Sequence, residues 1–88
     1  MSNADIIRLT EIKQYFLDPP HSFKLYAEAQ TLLDESGAIL KKYSLISQTL
    51  LDTFDATVLN VQEQKDSPGK LRASLIEVGK LISLITSR

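Results

Sequence analysis

The sequence predicts an all-α fold, and three observations carry that expectation. Its 88 residues contain three prolines and three glycines, most of them gathered at Pro19-Pro20 and Pro68-Gly69. Proline withholds an amide donor and clashes with the preceding turn, so these pairs can end or start helices but not run through them. Between the breaks, apolar residues recur at steps of three and four, and the strict alternation of a half-buried strand is absent. Fourteen Leu and eight Ile stand against three Val, a balance that suits helices better than sheets. The expected architecture is one domain over residues 1–88, a helical bundle or hairpin. A long central helix at about 22–64, with Gly37 as the alternative break point, is flanked by helices at about 4–18 and about 68–87.

The first helix follows from Ile6, Leu9, Ile12 and Phe16, which form one stripe at about 100° per residue. Asn3 is its expected N-cap, with Asp5 close to the positive end of the helix dipole.

The central segment decides the architecture. Leu25, Ala29, Leu32 and Leu33 set a stripe before Gly37, and Leu40, Tyr43, Leu50, Phe54, Val58 and Val61 set one after it. Counted through Gly37, the two stripes agree to within about 30°. A break at Gly37 would also put Asp34 and Glu35 at a helix C-terminus and Lys41 and Lys42 near an N-terminus, the wrong sign for the dipole at both places. One continuous helix of about 43 residues, near 65 Å long, is therefore expected. Flanking helices of about 22 and 28 Å cannot cover such a length, which implies self-association or a partner. A break at Gly37 would instead close the chain into a four-helix bundle able to stand alone.

The last helix has the clearest start, with Ser67 as N-cap and Pro68 at the first helical position, where its missing N–H is not needed. Leu71, Leu75, Val78, Ile82 and Ile85 then form a seam of a and d type.

Composition narrows the chemistry. The absence of cysteine removes disulfide frameworks, thiolate catalysis and the usual structural zinc sites, and suits a reducing compartment. No signal-peptide pattern or membrane-length apolar run occurs, so a cytoplasmic location is expected. His21, the single histidine, stands in Pro19-Pro20-His21-Ser22 and reads as a solvated loop residue. The carboxylates lack the spacing and histidine company of a metal or acid/base centre, and Gly69-Lys70 lacks the rest of a phosphate loop. No catalytic, cofactor-binding or metal-binding residue is therefore assigned.

The net charge of −1 hides −4 over residues 28–64 and +3 over residues 65–88. The basic residues of the tail, Lys70, Arg72, Lys80 and Arg88, point in more than one direction and lack an aromatic stacking residue, which disfavours nucleic acid and membrane surfaces. What remains is apolar surface. On the back of the expected central helix, Leu45, Asp52, Ala56 and Leu59 form a candidate interaction ridge. The leading expectation is a non-enzymatic interaction protein, an adaptor, chaperone or assembly subunit that self-associates or docks a protein partner through apolar helix faces. The alternative is a compact inhibitor or immunity-type protein that binds its target through an acidic face of Glu28, Asp34, Glu35, Asp52 and Asp55.

Overall fold

A computed structural model describes residues 2–43 and 45–87; Arg88, one of the tail's bases, lies outside the described residues. All regular structure among them is helical, in four elements of similar length: α1 Asn3–Leu17, α2 Leu25–Leu40, α3 Gln48–Glu63 and α4 Pro68–Thr86. The helical prediction holds, but the long central helix does not form. α2 ends at Leu40 and α3 begins at Gln48, and Gly37 lies inside α2.

Burial decides where the break falls. Folding α3 back onto α2 puts the Phe54 ring against Gly37 and buries Phe54 and Val61 in the core. Full burial of such side chains stabilises by about 1.5–3 kcal/mol each. The hydrogen bonds of an uninterrupted helix are largely replaced locally. Lys42 N–H donates to the Ile39 carbonyl and Ile46 N–H to the Tyr43 carbonyl, while the Ser47 hydroxyl accepts from the Leu50 amide at 3.2 Å as the N-cap of α3. The dipole argument against a break at Gly37 becomes a reason for this one. Lys41 and Lys42 now sit at the C-terminus of α2, where cations are favoured.

One cap assignment changes and the other holds in position only. Ser2, not Asn3, caps α1, its hydroxyl accepting from the Asp5 amide at 3.2 Å. Ser67 occupies the N-cap position of α4 with Pro68 next, yet its side chain makes no capping hydrogen bond.

The four helices surround one core, each packing on its neighbours in the order α1, α2, α3, α4 and back to α1. Leu9, Ile12 and Phe16 of α1 are buried, whereas Ile6 is partly exposed. The whole seam Leu71, Leu75, Val78, Ile82 and Ile85 is also buried, facing the chain's own core. Small residues permit close approaches: Ser36 and Gly37 of α2 are buried, and Gly79 of α4 lies against Leu17. Ser36 satisfies its hydroxyl by donating to the Leu33 carbonyl at 3.1 Å. No helix is long and apolar enough to cross a membrane among the described residues.

Candidate functional site

The α1–α2 connection and the α3–α4 turn lie at the same end of the bundle. Pro19 and Pro20 stop α1, and the buried Pro19 is tied to α4 because the Arg72 guanidinium donates to its carbonyl oxygen. Ser22 then starts the chain into α2: its hydroxyl accepts from the Lys24 amide at 3.1 Å, and its carbonyl from the Leu25 amide at 3.1 Å. On the facing side, the Ser67 amide donates to the Gln64 carbonyl at 3.0 Å, closing the turn that delivers Lys65 and Pro68.

These two connections enclose a groove of about 320 Å³. Leu25 and Leu71 contribute buried apolar side chains to its lining, Pro20 and Pro68 add ring surface, and Lys65 and Arg72 supply its charge. His21 lines it as well and is exposed, as expected for a loop histidine. Phe23 also contributes and is 95% exposed, with the Lys24 ammonium 5.8 Å from its ring centroid. Sequence reasoning missed Phe23 because it belongs to no helical stripe. The signal available was a large aromatic in a proline-marked connection, where no helix face can bury it.

The candidate ridge divides. Leu45 lies in the α2–α3 connection, before the helical register of α3 begins, and is 100% exposed. It therefore does not continue the face of Asp52, Ala56 and Leu59, which are exposed on α3 itself.

The acidic residues also serve different surroundings. Glu28 and Glu35 turn toward α1: Glu28 accepts from the Tyr15 hydroxyl at 2.9 Å, and Glu35 receives a two-pronged contact from Arg8, with Nη2 at 2.9 Å from Oε1. The Arg8 guanidinium holds the Glu35 carboxyl below the usual carboxylate range, and Glu35 in turn raises Arg8. Asp34 and Asp55 line a second groove between α2 and α3, where Lys41 pairs with Asp55 at 3.5 Å. Asp52 accepts from Gln48 at 2.8 Å on the exposed side of α3.

Asp5 anchors the opposite end of the bundle. Its carboxylate accepts from the Tyr43 hydroxyl and the Lys42 ammonium, and these bonds hold its pKa below the usual value. The charge polarity between middle and tail is not expressed as ion pairs among the described residues. The acids of α2 and α3 that form ion pairs do so with Arg8 and Lys41, not with tail bases.

No group of three or more metal-ligating side chains is placed to hold an ion among the described residues. No protein family, no curated protein and no solved structure matches the chain.

Proposed function

We propose that this chain is a non-enzymatic protein–protein interaction module, an adaptor, chaperone or assembly subunit acting in the cytoplasm, that docks a protein partner at the groove beside Phe23. The observation that carries the reading is the exposure of Phe23 beside a recess whose lining is largely apolar. An aromatic side chain held outside the core forgoes several kcal/mol of burial, about 1.5–3, and recovers it when a partner covers it. Aromatic anchors beside preformed recesses are where binding energy concentrates in interfaces. The cysteine-free sequence suits the reducing compartment in which we place it.

The case for obligatory self-association rested on an apolar stripe too long for one chain to cover. With that stripe folded into a single core, docking a different protein is the better-supported role. An inhibitor or immunity-type bundle acting through its acids is the second reading. Its support is the flank where Asp34 and Asp55 line one groove.

Site-specific photocrosslinking in the native host tests the proposal. A photoreactive phenylalanine at position 23 is expected to capture a discrete heterologous partner, competed away by excess unlabelled protein, while the same group at exposed Thr49 captures none. Capture only of a second copy at position 23, or equal capture from both positions, would overturn it.

A further inference from the structure

We infer that the groove beside Phe23 takes an acidic peptide segment bearing a large apolar side chain. The inference rests on the docking reading above and adds the chemistry of the partner.

Charge distinguishes this groove from two others, one between α3 and α4 and one between α2 and α3. The α3–α4 groove contains the Lys80–Glu77 pair and the α2–α3 groove the Lys41–Asp55 pair, so each brings its own counter-charge. The groove beside Phe23 is lined by Lys65 and Arg72 and by no carboxylate. Lys24 adds a third cation at the Phe23 ring. Neither Lys24 nor Lys65 joins an ion pair among the described residues, and Arg72 gives only one Nη1 contact to Pro19, leaving most of its five-donor fork available.

Backbone polarity has the same sign. Both α2 and α4 begin at this groove, and neither N-cap side chain accepts a bond from its helix. Two positive dipole ends therefore reinforce the side-chain charge. The recess, about 320 Å³, is large enough for one bulky side chain between Leu25 and Leu71, with carboxylates reaching Lys65 and Arg72 at the rim. A second copy of this chain meeting groove to groove would set like charges against each other. A nucleic acid needs a continuous cationic track, whereas Lys65 and Arg72 line a single apolar recess and Lys24 stands at the Phe23 ring beside it.

The test uses the full chain and fluorescence anisotropy with three labelled synthetic peptides of equal length. One has Asp and Glu around a central Leu-Phe pair, one replaces the acids by Lys, and one replaces Leu-Phe by Ser-Ser. An oligothymidylate of similar charge is the fourth probe. The acidic apolar peptide is expected to bind, to weaken as salt is added, and to lose about 30-fold in affinity with Phe23→Ser. Lys65→Glu is expected to weaken it by about tenfold. Both substitutions fall at exposed positions, and circular dichroism checks that each variant remains folded. Failure of the acidic peptide to bind, equal binding of the Lys or Ser peptide, preference for oligothymidylate, or indifference to both substitutions would overturn the inference. If position 23 still captures a partner in cells while the acidic peptide fails, the docking reading stands and only the partner's chemistry is wrong.

Discussion

The backbone of Leu17 lies directly against Gly79: a Cβ built on Gly79 would sit 3.1 Å from the Leu17 amide nitrogen and 3.0 Å from its Cγ and Cδ2. The Leu17 side chain is partly exposed and can yield, but its amide belongs to the last turn of α1 and cannot. Gly79→Ala is therefore expected to push α1 away from α4. Overpacking costs about 1–3 kcal/mol, and the helix propensity of Ala returns up to about 1 kcal/mol. The expected net loss is about 1 kcal/mol in urea unfolding, and an unchanged or raised midpoint would contradict the close approach.

Gly37 is the opposite case. Its added Cβ meets only the Cε1 of the Phe54 ring, at 3.4 Å, and its backbone is ordinary helix without positive φ. Gly37→Ala is expected to stabilise the protein by about 0.5–1 kcal/mol, through helix propensity and a less flexible unfolded chain. A loss of stability on this substitution would mean that α3 packs more tightly on α2 than the Phe54 contact implies.

These two glycines mark how far the fold was legible. Both ends of the chain could be read because prolines bound α1 and α4 and because Leu9, Ile12, Phe16 and the Leu71–Ile85 seam are consumed in one core. The central break could not be read from phase. The connection at 41–47 has seven residues, close to two helical turns, so a stripe counted through it stays in register whether or not the helix continues. The cap at Ser47 and the lysines at 41 and 42 were the local signals, and they name the break once Gly37 is set aside. The groove was illegible for another reason. Its parts come from Pro20 to Tyr26 and from Lys65 to Arg72, segments adjacent only after the bundle closes.

Acid sensitivity follows from Asp5 and Glu35. Hydrogen bonds from Tyr43 and Lys42 lower the Asp5 pKa from 3.8, and the Arg8 contact lowers Glu35 from 4.5. A carboxylate with a depressed folded-state pKa adds stability that is complete above its unfolded value and is lost as pH falls through the folded one. Thermal midpoints are expected to begin falling as pH drops below about 4.5, with Glu35→Gln and Asp5→Asn flattening part of that fall. Both groups are near solvent, so added salt should shrink the effect. An acid limb identical in wild type and Glu35→Gln would remove Glu35 from this account.

At the alkaline end the reporter is Tyr15. Its phenol is pushed up to about 12 from 10.0, first by burial and then by the bond it donates to Glu28 and that carboxylate's charge. The folded state thus favours the neutral phenol. The resulting stability is complete below pH 10.0 and is lost as pH rises toward about 12. Phenolate absorbance followed through an alkaline titration is expected to show a late-ionising component that is lost in Tyr15→Phe. Glu28→Gln should lower that component without returning it to 10.0, because burial is the larger cause and remains. Full return to 10.0 in Glu28→Gln would instead make the carboxylate dominant and would mean that the α1–α2 contact at Tyr15 admits more water than its packing implies.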